Sequence, residues 1–492
     1  MLPIGLDIDD STISPDGKWL GLAATSGGRA NLYVYSIDEL AKEPPVARQL
    51  TATPGRKRSL QFSPDNKELY YLDAGHIEHV TIEQPAPKPI AVTAEMDVDF
   101  SIEKNEVFDE GWRDLRDNFW DPKMHGLDWQ GVHDEYAPRI AAARNSDEMR
   151  RLINLMIGEL NSSHMGTSAP TSERVTSTGR LGLRFDRGVY ENEGKFRVTE
   201  VVALSPAAIA GIKIGETLTS IDGASLGRQS NLEELLDYKI DKRITVGVAA
   251  AGGATRTVTL KPVRNTTEKG LLYRDWVNRN RAYVEKASGG KLGYVHMLDM
   301  GEASLRQLFL DLDSDNVSKQ GVIIDVRNNN GGFVNAYAID VLARRGYMTM
   351  TPRNYGQPVP ARSMLGQRSL ELPTLLVTNQ HSLSDAEDFT EGYRSLHLGK
   401  VVGEPTAGWI VYTGSVQLID GSGLRMPGTR IRAHDGTDME MHPRPVDIEV
   451  HRALGESYKG IDSQLDVAVR ELLGQVEGKP SSQPKVAGQQ EQ

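Results

Sequence analysis

The stretch Pro373-Thr-Leu-Leu-Val377-Thr-Asn-Gln-His-Ser-Leu-Ser384-Asp385-Ala386-Glu-Asp-Phe389 decides how this chain is read. Its apolar start predicts a buried strand, and the residues after Ser384 favour a helix. A small nucleophilic residue at such a strand exit can present its hydroxyl to a substrate. The next backbone N–H can then face developing negative charge. A serine hydroxyl needs a base to take its proton as it attacks. Two candidate partners stand out, Ser163-His164 far upstream and Glu440 downstream.

The other short apolar runs around this stretch are Leu292-Gly-Tyr-Val-His-Met, Gly321-Val-Ile-Ile-Asp325-Val326 and Leu398-Gly-Lys-Val-Val402. Helical stretches such as 304–311 and 334–345 separate them, so residues 269–474 are expected to form an α/β domain around a buried sheet. Residues 475–492 hold too few apolar side chains to order themselves.

Upstream, residues 1–92 carry a repeat, Ser14-Pro15-Asp16-Gly17-Lys18 and Ser63-Pro64-Asp65-Asn66-Lys67. Each reads as a tight turn between alternating strands, as in the hairpins of a β-propeller blade. About two such units cannot close a propeller. The expectation is therefore the C-terminal blades of a longer propeller, or blades leaning on another chain, with a small β-meander as the plainer alternative. Residues 95–175 switch to helical spacing, with Phe108, Trp112, Leu115, Phe119 and Trp120, then Met149, Leu152, Leu155, Met156 and Leu160, the aromatic stripe being read as core. His164 follows the end of the second helical run. Residues 178–266 read as a compact β-rich domain.

The whole chain has 492 residues, which predicts about three or four domains. Its 56 basic against 67 acidic residues offer no basic footprint for nucleic acid. With no cysteine, thiolate catalysis and cysteine metal sites are excluded. His296, His381, His434 and His442 show no metal-ligand spacing, and Gly331-Gly332 lacks the Lys-Ser/Thr of a phosphate loop. No cofactor, metal or membrane partner is implied. A cytoplasmic location is expected, or a periplasmic one if a preceding segment carries an export signal.

Two strings carry resemblances. Ser205-Pro206-Ala207-Ala208-Ile-Ala-Gly211-Ile212-Lys213-Ile-Gly215 through Ile221-Asp222-Gly223 resembles PDZ domains. That resemblance implies a loop, Leu181-Gly182-Leu183, whose N–H groups hold a peptide's terminal carboxylate. Asp325-Val-Arg327-Asn-Asn-Asn-Gly331-Gly332, Ser384 and Gly403-Glu404-Pro-Thr406-Ala-Gly408 together resemble the S41 family of serine peptidases. One branch of that family places a lysine base where this chain has Trp409, which cannot accept a proton. The other branch, the tricorn proteases and their homologues, takes its histidine from the helical segment, and Ser163-His164 matches its Ser-His pair.

The resemblance implies a multidomain α+β protein with partial β-propeller blades, a helical module, a PDZ domain and an α/β S41-type (ClpP/crotonase-like) catalytic domain. It implies Ser384 as nucleophile, His164 as base, Glu440 as the carboxylate and Ser163 between them. The N–H groups of Gly331 or Gly332 and of Asp385 would hold the oxyanion. Asp435, Asp438 and Asp447 lie near Glu440, and spacing does not choose among them. Asn330 and Ala386 stand where the family usually has glycine. The implied substrate is a peptide or unfolded polypeptide, and the implied assembly a homo-oligomer. The alternatives are an inactive peptide-binding scaffold and an S41-like hydrolase of non-peptide substrates.

Overall fold

The computed structural model describes residues 6–478 apart from 27–28, 42–44, 54, 94, 171–177, 317 and 355–357, so most of the expected tail lies outside it. The chain divides into two compact units, Met1–Asp99 and Phe100–Gln492.

The first unit holds two four-stranded antiparallel sheets, Asp7–Ile13 to Arg48–Gln49 and Lys57–Phe62 to Lys88–Pro89, each with its strands in chain order. The two repeated turns are built alike. Ser14 Oγ donates to Asp16 and accepts from the N–H of Lys18 and Trp19. Ser63 Oγ repeats this with Asp65, Lys67 and Glu68. A hydroxyl that ties both sides of the turn fixes the hairpin register locally. Leu32, Val34, Leu69, Tyr71 and Val80 from the two sheets share one core.

The second unit begins with helices Phe100–Asn118, Trp129–Ala142 and Ser146–Gly158. The middle one was not visible in the apolar spacing. Phe108, Trp112, Leu115 and Phe119 are buried, as the helical period predicts. Residues 183–260 form a sheet of antiparallel strands in the order Leu183–Phe185, Phe196–Val201, Thr217–Ile221, Ile244–Ala249, Thr255–Leu260, with Ala224–Ser225 beside Thr217–Ile221.

Residues beyond 265 build a five-stranded parallel sheet in chain order, Leu292–His296, Gly321–Asp325, Thr374–Thr378, Gly399–Gly403 and Ile448–Glu449. Alternate residues point to opposite faces. Val322, Ile324 and Leu376 pack under helices Glu302–Asp313, Asn335–Ala343 and Asp385–Ser395. Ile323, Leu375 and Val377 pack under Asn265–Ala287 and Ser463–Val476. Burial on both faces explains the continuous apolar runs, each such side chain contributing about 1.5–3 kcal/mol. Every strand ends at the same edge, where a parallel sheet presents its loops for chemistry.

One sheet crosses the expected boundaries. Tyr412–Gln417 and Gly423–Thr429 form a hairpin whose second strand pairs with Gly166–Ser168. Leu418, Leu424 and Met426 of this hairpin enter the core of the three helices. A segment of the α/β region thereby completes the helical module, only two residues from His164.

Candidate active site

Ser384 stands just beyond strand Thr374–Thr378. The turn before it is tied to the neighbouring strand's exit, with Ser382 Oγ donating to Val326 O and Leu383 N to Asn329 O. Ser384 itself adopts φ 58° and ψ −130°, then helix Asp385–Ser395 begins. A non-glycine residue at positive φ is strained, and this strain turns the side chain out of the helix path. Its hydroxyl makes no capping bond.

The glycines meet this turn closely. A Cβ on Gly331 would lie 2.4 Å from Ser384 Cβ and 2.8 Å from Asp385 N. One on Gly332 would lie 2.0 Å from Met300 O. No side chain fits at either position. Gly331 N–H is already donated to Asn329 Oδ1 at 2.8 Å. Among the described residues, the N–H groups of Gly332 and Asp385 carry no hydrogen bond.

On the helical side, Glu440 is buried and reached from two directions. It accepts from Ser163 N at 2.7 Å, Ser162 Oγ at 3.3 Å, Ile410 N at 3.0 Å and Val411 N at 3.4 Å. Ser163 Oγ lies 3.1 Å from Glu440 Oε2 and 2.9 Å from His164 Nδ1. A hydroxyl has one proton, and the carboxylate can only accept it. Ser163 therefore donates to Glu440 and accepts from His164 Nδ1–H, which assigns the tautomer that leaves Nε2 free as a base. Of the acids the sequence left open, Glu440 alone makes this contact; Asp438 pairs with Arg430 and Arg432, Asp435 caps Thr437 N, and Asp447 binds Val401 N. Burial holds the His164 imidazole below its ordinary 6.5, helped by the charge of Arg425 and opposed by that of Glu440.

His164 lines a cleft of about 680 Å³ with Leu383 and Asn330, the chain neighbours of Ser384 and Gly331. The Ser163, His164 and Glu440 triplet is thus joined by hydrogen bonds, as is the Ser384 turn with Asn329, which also holds Gly331. Between Ser384 Oγ and His164 no hydrogen bond is formed in this state.

Several positioning groups went unread in the sequence. Glu387 accepts from Thr406 Oγ1 at 2.6 Å, Gly408 N at 2.8 Å and Trp409 N at 2.6 Å, while Ser384 N donates to Trp409 O at 2.8 Å. The 406–409 string is therefore strapped to the helix that follows Ser384. The Asp385 carboxylate accepts from Asn335 N at 3.0 Å and from the Asn335 side chain, and Tyr412 Oη donates to Asp388 at 2.7 Å. Burial raises Asp385 and Glu387 and pushes Asp388 up to about 7. Acids in a helix's first turn ordinarily face water and its dipole, so nothing in their spacing betrays this burial.

The Leu181-Gly182-Leu183 loop holds a different carboxylate. Gly182 N donates at 2.9 Å to Glu268 Oε2, buried on the helix Asn265–Ala287 and paired at 2.8 Å with Arg184. Leu181 and Leu183 are buried in the domain's own core.

Residues 291–450 match the family model described as Peptidase family S41, and residues 100–158 match the Tricorn protease C1 domain. The chain is a tricorn-like member of peptidase family S41. It is 30% identical over 406 residues to Tricorn protease homolog 1 of Streptomyces coelicolor, covering 79% of this chain and 37% of that protein. With the Tricorn protease of Thermoplasma acidophilum it shares 28% identity over 447 residues, covering 87% of this chain and 40% of that one. This family member therefore spans well under half the length of these curated relatives. The crystal structure of the tricorn protease superposes with a TM-score of 0.81 at 23% identity, covering 96% of this chain and 47% of that one, a likeness of fold. No described helix is long and apolar enough to cross a membrane.

Proposed function

We propose that this chain is a serine peptidase that hydrolyses peptides or unfolded segments through an acyl-enzyme. The observation that carries the proposal is the hydrogen-bonded series Glu440, Ser163, His164, which leaves His164 Nε2 unprotonated on the cleft beside the strained Ser384 turn. Ser384 Oγ attacks the peptide carbonyl carbon as its proton passes to Nε2. The imidazolium then protonates the leaving amine, and water repeats the sequence to release the acid. Glu440 acts through Ser163 to orient the ring and stabilise its charged form.

The oxyanion is assigned to the N–H groups of Gly332 and Asp385. Both are uncommitted, and Asp385 opens a helix whose N-terminal dipole favours negative charge. Gly331 supports them by letting the two turns meet.

In this reading residues 1–92 are the C-terminal blades of a β-propeller, 95–175 the helical module, 178–266 a PDZ domain and 269–474 a ClpP/crotonase-like core. The whole is a cytoplasmic homo-oligomer. Glu268 on Gly182 N speaks against the rival peptide-binding scaffold, because the amide such a scaffold needs is already taken.

The test is product mass spectrometry on a mixed peptide library, beside fluorophosphonate labelling of the intact chain. Cleavage and a Ser384 adduct, both lost in Ser384→Ala, are expected. Unlabelled Ser384 with every peptide intact sinks the proposal, and ester turnover with intact amides transfers it to a non-peptide hydrolase.

A further inference from the structure

The cleft beside His164 has an uneven charge. Among its lining residues Arg425 alone carries a formal charge with the imidazole neutral, and no carboxylate lines it. Arg425 lies on strand Gly423–Thr429, flanked by Leu424 and Met426, which are buried in the helical core. Strand alternation turns Arg425 to the other face, and its pairing partner is Gly166, two residues beyond His164.

The arm is anchored, but its end is not. Arg425 Nε donates to Thr413 Oγ1 at 2.9 Å. Its two terminal nitrogens have no hydrogen bond or ion pair among the described residues. Nearby arginines are matched: Arg430 and Arg432 with Asp438, Arg444 with Glu391. Arg425 is exposed on the cleft, so in a chain with eleven excess negative charges its solvated guanidinium end is open to a carboxylate brought by a ligand. A guanidinium anchored through Nε presents a planar pair of donors that fits a carboxylate.

We infer that Arg425 is a specificity-determining residue that reads a substrate carboxylate, so that peptides bearing an acidic group at this point of the cleft are the preferred substrates. The inference rests on the peptidase reading of Ser384. It also has a consequence for rate. A bare positive charge beside His164 opposes formation of the imidazolium, and a substrate carboxylate on Arg425 offsets it. Acidic peptides then gain in kcat as well as in KM.

The carboxylate can belong to an Asp or Glu side chain or to a peptide's C-terminus. The experiment measures kcat/KM for matched peptide pairs, Asp against Asn and Glu against Gln at each position, with free and with amidated C-termini. Wild type is compared with Arg425→Gln, Arg425→Lys and Arg425→Glu. Wild type is expected to favour the acid by about 10- to 100-fold. That ratio falls to near one in Arg425→Gln, shrinks in Arg425→Lys and inverts in favour of the amide in Arg425→Glu. A preference that persists with amidated ends identifies the side chain, and one that needs the free end identifies the terminus. Equal turnover of acid and amide by wild type, or an unchanged ratio in Arg425→Gln, overturns the inference. Should no peptide be cleaved, fluorescence anisotropy of the same pairs on Ser384→Ala, with and without Arg425→Gln, reads the discrimination as binding. Loss of peptidase activity with acid selectivity retained then separates failure of the Ser384 reading from failure of this one.

Discussion

Glu440 and Glu268 are both buried glutamates that accept a backbone N–H from a distant loop, yet they leave those loops in opposite conditions. Glu440 is surrounded by neutral donors, two hydroxyls and three amides, with no cation paired to it among the described residues. Its charge stays available to the imidazole two bonds of the network away. Glu268 meets one amide and Arg184, so its charge is neutralised locally and the loop it binds is closed. Burial alone does not make a carboxylate functional; what decides is whether the matching positive charge is already present or appears only during the reaction.

The largest expected effect is at Glu440. Glu440→Gln keeps the shape but not the charge, and forces an NH2 group toward donors. It should lower kcat/KM by about 10³–10⁴-fold, with the far-ultraviolet circular dichroism spectrum unchanged. A loss under tenfold would show that Glu440 is a structural acid like Glu268.

Glu268→Gln should do the reverse. It leaves Arg184 unpaired and weakens the bond from Gly182, destabilising the protein by about 1–3 kcal/mol in urea unfolding, with kcat on a neutral peptide within about twofold of wild type. A kinetic collapse there would erase the distinction between the two residues.

The smallest effect is a displacement of the pH profile. His164 must be neutral to act, and its pKa lies below 6.5, so kcat/KM should hold down to that value and fall only at more acid pH. Glu440 favours the protonated ring and Arg425 disfavours it. Glu440→Gln should therefore shift the acid limb further down, and Arg425→Gln should move it up toward 6.5. Shifts of the opposite sign would remove both charges from the neighbourhood of His164.

The parallel sheet was legible because strands covered on both faces read as unbroken apolar runs, as Val322 to Ile324 and Leu375 to Val377 do. The helix Phe100–Asn118 was legible from its aromatic stripe, whereas Trp129–Ala142, with Pro138 inside and three buried side chains, offered no such period. The hairpin over 412–429 was hidden for a related reason. Its first strand is largely half-exposed, Tyr-Thr-Gly-Ser-Val-Gln, and its burial depends on helices that lie far upstream. Glu387 and Asp388 were hidden because an acid after a helix N-cap is usual on solvated helices.

The chain alone offered Ser384, Ser163-His164 and a cluster of acids around Glu440 as candidates, and the order of strands and helices around them, because local patterns and motif strings are properties of neighbours. Folding decided which acid reaches Ser163, that Gly331 N–H is spent on Asn329, that Glu268 closes the Gly182 loop and that Arg425 stands beside His164 with no acid partner among the described residues. A hydrogen bond is made within about 3 Å, and Ser163 and Glu440 are 277 residues apart in the chain; only packing of the 412–429 hairpin into the helical core brings such groups to one place.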